Sequence, residues 1–282
     1  MMAQDAAIQA GVMGWPISHS LSPRLHGFWL EQYGIKGSYK AIAVAPDDFA
    51  KTLRRLAADG FAGVNITVPH KEAALAEVDA VDDIARRIGA VNTIVVQADG
   101  TLSGSNTDGF GFLESLKEGA PNFNVGQGPA VVLGAGGAAR AIIVALLDAG
   151  VPEIRLLNRT QERAEQLAEE FGGPINVLAW EARDGALTDV SLLVNTTTLG
   201  MRGKPPLEIQ LAMLPETALV TDIVYAPLAT KFLQAAQQRG NQTVDGLGML
   251  LHQARPGFKA WFGTKPEVSR ALREHVLAGI KG

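Results

Sequence analysis

The stretch that decides the fold is Ala130-Val131-Val132-Leu133-Gly134-Ala135-Gly136-Gly137-Ala138-Ala139. Four apolar residues read as a buried strand. The glycine cluster that follows matches G-x-G-x-x-G/A, with Ala139 in the last place, and residues 137–149 continue as an amphipathic helix. A strand, a glycine turn and a helix in that order form a dinucleotide-binding fingerprint. Gly134 makes the tight turn, Gly136 lets the backbone approach a pyrophosphate, and Ala139 is small enough for close helix–strand packing. The free N–H groups of the helix start then face the phosphates. A membrane span is a poor reading of the same segment, because Arg140 and Asp148 would each cost ~2.5–3.5 kcal/mol at the bilayer centre.

Working outward from this turn, strands and helices alternate. Strands are expected at 130–133, 153–158, 175–179, 190–195 and 219–224, with helices at 160–171 and 231–239. That rhythm implies a parallel sheet covered on both faces. The run 119–128 (GAPNFNVGQG) reads as a linker. Before it, strands are expected at 8–14, 39–44 and 63–67, and helices from Ser22-Pro23 to Gly34, at 46–59, 71–78, 82–88 and 107–118. Asp99-Gly100 forms a hairpin turn between strands 92–96 and 101–104. Two helices, 247–262 and 267–280, close the chain.

Composition narrows the chemistry. The chain has 282 residues, 47% hydrophobic, and a formal net charge of −4. At ~150 residues per domain that length suggests two domains. The apolar content argues against disorder, and the lack of basic excess argues against a general nucleic-acid binder. With no cysteine, disulfides, Cys-zinc sites, Fe–S clusters and thiol nucleophiles are excluded. No metal-ligand cluster is evident among the 5 His. The N-terminus lacks a basic n-region and does not read as an export signal. The expectation is a cytoplasmic protein with no membrane or nucleic-acid partner.

The strand after the glycine turn ends in Asn158-Arg159-Thr160, with Arg159 lying 25 residues after Gly134. NAD readers place a carboxylate about 20 residues on, to hold the ribose 2′-OH. Here an arginine suited to phosphate stands instead, so the expected cofactor is NADP(H). Thr160 reads equally as an N-cap, and Arg163 as a second phosphate cation or a solvated charge. Four polar runs in the first half exceed what connecting loops need. They are 14–23 (GWPISHSLSP), with Ser20 and Ser22; 65–71 (NITVPHK), with Thr67 and Lys71; 89–93 (GAVNT); and 105–108 (SNTD). Taken singly, Ser22 and Asp108 also read as helix caps, and Lys71 as a surface charge.

Read in order, GWPISHSLSP, GVNITVPHK, GAVNT, SNTDGFG, GAGGAAR, NRTQERA, VNTTTLGM, DIVYAP and DGLGMLLHQA resemble the shikimate dehydrogenase family from Gly14 to about Gly263. The resemblance implies two α/β domains, a substrate-binding domain and a Rossmann-like NADP-binding domain. The first would comprise residues 1–107 with 246–282, the second 108–245, and the active cleft would lie between them. It implies reduction of 3-dehydroshikimate to shikimate with NADPH, with Lys71 and Asp108 as the catalytic pair. Ser20, Ser22, Thr67, Asn92, Asp108, Tyr225 and Gln253 match substrate-binding positions. Gly134, Ala135, Gly136, Gly137, Ala138, Asn158, Arg159, Thr160, Arg163, Ile223 and Gly246 match cofactor positions; Asp83 matches a weaker site position. Lys71 is either the proton donor or a positive anchor for the developing alkoxide. The resemblance leaves monomer and homodimer open. A quinate/shikimate dehydrogenase, a tetrahydrofolate-linked dehydrogenase of related layout and a non-catalytic NADP-binding regulator are the competing readings.

The match departs from the family in three places. Gly27 follows His26 where many relatives carry Asn or Gln. Thr197 stands where Ser is common. Pro256 interrupts the helical pattern after Gln253 and is expected to kink that helix.

Overall fold

A computed structural model describes residues 7–281; the opening residues 1–6, on which part of the export-signal reading falls, lie outside the described residues. The chain divides into two units. Among the described residues, 253–281 join 7–107 in the first, and 108–252 form the second.

The first unit starts with β1 (Ile8–Gly14), α1 (Ser22–Gln32), β2 (Gly37–Ala43), α2 (Phe49–Arg54), β3 (Phe61–Ile66), α3 (Lys71–Glu77), β4 (Ala80–Val81), α4 (Asp83–Ile88), β5 (Thr93–Val96) and β6 (Leu102–Ser105). Its six strands lie in the order β2-β1-β3-β5-β6-β4. β1 runs parallel to β2 and β3, whereas β5 is antiparallel to both β3 and β6. The sheet is therefore mixed, with the 93–105 hairpin built around Asp99-Gly100. Met13, Val44, Leu53, Val64, Ile66, Val91 and Ile94 are buried together against it.

The helix expected over 46–59 is shorter than its amphipathic pattern. A 3-10 turn, Pro46–Asp48, precedes α2, which ends at Arg54. Arg55 and Leu56 donate to Thr52 and Leu53, three residues back, and Gly60 takes φ +75°. The chain tightens there so that Phe61 can enter β3, while Leu56 stays buried. The cap reading of Ser22 is also corrected: Leu21 occupies the N-cap and Ser22 is the first helical residue, ahead of Pro23.

The second unit continues with α5 (Asp108–Gly119), β7 (Ala130–Leu133), α6 (Gly137–Asp148), β8 (Ile154–Leu157), α7 (Gln161–Phe171), β9 (Ile175–Leu178), β10 (Leu192–Asn195), β11 (Leu219–Asp222), α8 (Lys231–Gln238) and β12 (Thr243–Val244). The strand order is β12-β11-β10-β7-β8-β9, and every pairing is parallel. Renumbered from β7, this is the order 3-2-1-4-5-6, the Rossmann arrangement. Its chain reverses direction across the sheet between β7 and β10, the crevice position where such sheets bind ligands. All four residues of β7 are buried. Ala130 and Val132 pack with Ile142, Leu146 and Phe112, and Val131 and Leu133 with Phe232, Leu233 and Leu211. A strand buried on both faces needs an unbroken apolar run, which the sequence supplies.

The last helices are α9 (Gly246–Phe262) and α10 (Arg270–Lys281). Residues 246–252 stay with the second unit because His252 Nε2 bonds Glu118 Oε2 (2.8 Å) and Gly248 lies against Ser115. α9 runs unbroken through Pro256.

Candidate active site

In the first unit, the loops after β1 and β3 are tied together at the C-terminal ends of these parallel strands. Trp15 N–H donates to Val68 C=O (3.1 Å) and Thr67 N–H to Met13 C=O (2.9 Å). The peptides Trp15–Pro16 and Val68–Pro69 are both cis. His70 is buried and stacked on Phe49 at 4.4 Å, with Nε2 2.8 Å from Val44 C=O. That anchor sets where α3 begins, and half-buried Lys71 is its first residue. Val91 N–H donates to Lys71 C=O (2.9 Å), which fixes Lys71 next to the Asn92 segment.

Asn92 is buried at the hub of a polar network. Its Oδ1 accepts from Thr93 Oγ1 (2.9 Å), Thr107 N–H (2.9 Å) and Thr107 Oγ1 (3.2 Å), and its Nδ2 donates to Gln253 Oε1 (3.4 Å). Thr107 Oγ1 also lies 2.8 Å from Gln253 C=O. Gln253 is thus tied to this network by both its side-chain amide oxygen and its backbone carbonyl. Asn65 Nδ2 donates to Asn92 C=O and Thr93 Oγ1, both at 3.1 Å, while its Oδ1 accepts from Tyr39 O–H at 2.6 Å. The Ser22 hydroxyl reaches the same phenol. Burial holds the Tyr39 phenol well above its ordinary pKa, so it stays a neutral donor. Ser22 N–H donates to Ser20 Oγ (3.3 Å). The structure thus links Ser20, Ser22, Asn92 and Gln253 and places Lys71 beside them. Tyr39, Asn65, Thr93 and Thr107 join them without having been singled out from sequence. Asp83 is exposed in the first turn of α4, beside the cap Asp82.

In the second unit, buried Asp108 opens α5, the residue after Thr107. Gly134 sits at φ +109°, and a Cβ there would lie 2.6 Å from Thr196 Oγ1. Only glycine fits such a turn. Gly134 N–H donates to Leu157 C=O (2.7 Å), and Ala135 N–H to Asn158 Oδ1 (3.1 Å). Asn158 Nδ2 in turn holds Thr160 C=O (2.7 Å). Thr160 is the N-cap residue of α7 by position, but its side chain makes no capping bond. Around Gly136 and Gly137, at the start of α6, a Cβ would meet nothing within 4 Å. Open space against free helix N–H groups, with no acidic residue in the first turn, fits a dinucleotide pyrophosphate. A cavity of about 620 Å³ is lined by Asn158, whose Oδ1 holds the Ala135 N–H of the turn, and by Arg159, Thr160 and Arg163 together with residues after β9 and β10. The residues therefore fit an NADP-type cofactor.

Asp222, at the end of β11, accepts from Asn195 Nδ2 (2.9 Å), Val224 N–H (3.0 Å) and Thr230 Oγ1 (2.7 Å). Desolvation raises its pKa to about 6, against the lowering effect of those three bonds. This clamp carries Ile223 and Tyr225 on one short loop. Burial also raises the Tyr225 phenol pKa. Gly246 lies directly on that loop: a Cβ would come 2.3 Å from Ile223 C=O. The predicted pair Ile223 and Gly246 is thereby brought together, through Asp222, which the sequence reading did not single out. Among the described residues no cluster of three His, Asp or Glu could hold a metal, and no helix is long and apolar enough to cross a membrane.

Fold and site together define a Rossmann-type dinucleotide-binding protein that carries a second α/β unit with a dense hydrogen-bonding cluster. The shikimate dehydrogenase substrate-binding domain matches residues 12–94, and the shikimate/quinate 5-dehydrogenase family matches residues 118–200. The chain is 60% identical over 269 residues to the shikimate dehydrogenase (NADP(+)) of Paramagnetospirillum magneticum, covering 95% of this chain and 98% of that protein. It is 59% identical to that of Rhodospirillum rubrum, covering 98% and 99%. Among solved structures, the Thermus thermophilus shikimate 5-dehydrogenase in complex with NADP(H) and shikimate superposes with a TM-score of 0.86 at 41% identity, covering 96% of this chain and 99% of that one. The quinate dehydrogenase of Corynebacterium glutamicum in complex with NAD gives 0.90 at 32% identity, covering 96% and 99%. The chain belongs to the shikimate dehydrogenase family of oxidoreductases.

Proposed function

We propose that this protein interconverts 3-dehydroshikimate and shikimate, with NADP(H) as its redox partner. The observation that carries this reading is the pairing of the Asn158-Arg159 turn beside a Gly134–Gly137 cradle with the Asn92 hydrogen-bond hub. Bound NADPH supplies the hydride. The substrate is a small polyhydroxylated carboxylate, and neutral hydroxyl and amide side chains match its donors and acceptors. Ser20 and Ser22 hold the carboxylate. Thr67, Asn92, Tyr225 and Gln253 orient the ring hydroxyls, supported by Asn65 and Thr93. Charge develops on the carbonyl oxygen as hydride arrives at its carbon. Lys71 stabilises that oxygen and Asp108 works with it in moving the proton, so no metal is required. Arg159 and Arg163 hold the 2′-phosphate, and Ile223 and Gly246 lie against the nicotinamide.

The protein works in the cytoplasm on a small molecule, as a monomer or homodimer, without nucleic acid or membrane. The net charge of −4 supports the absence of a polyanion partner. Incubating the purified protein with 3-dehydroshikimate and NADPH, and identifying the product by NMR, tests the reading. Shikimate forming mole for mole with NADP⁺ is the expected result. NADPH that is not consumed contradicts it.

A further inference from the structure

The cavity beside the glycine turn has walls from three segments, and cations of two of them were not singled out from sequence. Arg159 and Arg163 come from the β8–α7 turn, Trp180 and Arg183 from the 3-10 turn after β9, and Lys204 from the loop after β10. Its four cations divide by what they already bind. Arg183 is committed to its own wall: Nε donates to Glu208 C=O (2.7 Å), Nη1 donates to Trp180 C=O (3.0 Å), and the guanidinium lies 5.3 Å from the Trp180 ring centroid. Among the described residues, Arg159, Arg163 and Lys204 make no ion pair. All three are exposed at the cavity edge.

The loop that carries Lys204 is closed by backbone bonds. Gly200 N–H donates to Pro205 C=O (2.7 Å), Lys204 N–H to Met201 C=O (2.9 Å), and Arg202 N–H to Ala226 C=O (2.7 Å). Gly203 takes the left-handed turn at φ +78°, and Pro205-Pro206 stiffens the exit. The Lys204 stem is therefore directed at the cavity by a fixed turn. An ammonium on such a stem is suited to a phosphate dianion as a point charge, and would complement the planar forks of the two arginines.

We propose that Lys204 is a third cation for the 2′-phosphate of NADP(H), sharing it with Arg159 and Arg163, while Arg183 builds the wall. This rests on the NADP reading above and extends it to the loop after β10. It makes cofactor choice depend on two separate segments of the chain.

Titration calorimetry of the full-length protein with adenosine 2′,5′-bisphosphate and with 5′-AMP tests it, because the two probes differ only in the 2′-phosphate. Lys204→Gln should weaken the bisphosphate about 10-fold, the scale of one charge-assisted contact. Its 5′-AMP affinity should be unchanged, and the salt dependence of bisphosphate binding should become shallower. Lys204→Arg should restore most of the loss. A Lys204→Gln protein that binds the bisphosphate as tightly as wild type overturns the assignment. A wild type that binds both probes equally would instead overturn the NADP reading, and the role of Lys204 with it.

Discussion

His26 provides a quantitative test of the first unit's core. Its side chain is fully buried, and neither ring nitrogen has a hydrogen-bond partner. It stacks on Tyr39 with centroids 3.9 Å apart and planes 2° apart, enclosed by Trp29, Phe258 and Trp261. Desolvation lowers its pKa to about 3. In the unfolded chain the imidazole titrates near 6.5. The folded state therefore binds fewer protons between these values, and stability falls as pH drops below about 6.5, by ~1.36 kcal/mol per unit. At pH 5 the loss from this residue is about 2 kcal/mol; at pH 7.5 it is close to nothing. His26→Phe removes the titration while keeping a stacking ring. The larger ring and the removal of two unpaired nitrogens shift stability by amounts that do not vary with pH. Asp222 has the opposite slope: its raised folded pKa adds stability as pH falls through about 6. Both proteins carry Asp222, so it cancels in the difference. The assay is urea unfolding at pH 7.5 and pH 5, followed by the fluorescence of Trp29 and Trp261, which flank the ring. The stability difference between variant and wild type should move by about 2 kcal/mol in the variant's favour at the lower pH. Equal differences at the two pH values would show that His26 ionises in the fold as readily as in the unfolded chain, contrary to this expectation.

Three further outcomes are expected. Lys71→Ala should lower kcat by roughly 10²–10³-fold with little change in KM, because its charge counts most in the transition state; steady-state kinetics showing wild-type kcat would remove Lys71 from catalysis. Arg159→Asp should reverse the NADP/NAD preference in kcat/KM, since a carboxylate repels the 2′-phosphate and suits a free 2′-OH; an unchanged ratio would move the phosphate site elsewhere. Gly134→Ala places a methyl 2.6 Å from Thr196 Oγ1 at φ +109°, a strain of order 1–3 kcal/mol, so calorimetry should show a lower Tm and weaker NADP⁺ binding.

What could be read in advance was local. The run Ala130–Leu133 with its glycine turn announced β7, α6 and the parallel sheet, because a doubly buried strand must be apolar throughout. The placement of Asn158 and Arg159 beside the glycine turn was legible because both lie at the end of the next strand of one βαβ unit. The rest depended on contacts between distant segments. Asp222 looks like any strand-end carboxylate until Asn195 and Thr230 close on it. Tyr39 and Asn65 alternate like ordinary strand residues, yet they carry the Ser22 loop's connection to Asn92. Trp180 and Lys204 reach the cavity from loops after β9 and β10, far in sequence from the glycine turn, so nothing local marks them as its lining. Helix ends went astray for a related reason. The amphipathic pattern of 46–59 persists beyond Arg54, but the chain must turn into β3. Pro256 has no N–H to donate, yet α9 continues through it.

One set of steady-state measurements reads the coupled choice of cofactor and substrate. It follows nicotinamide absorbance with shikimate and with quinate, each paired with NADP⁺ and with NAD⁺. kcat/KM should be highest for shikimate with NADP⁺ and should fall on changing either member of the pair. A higher kcat/KM for quinate with NAD⁺ would contradict it.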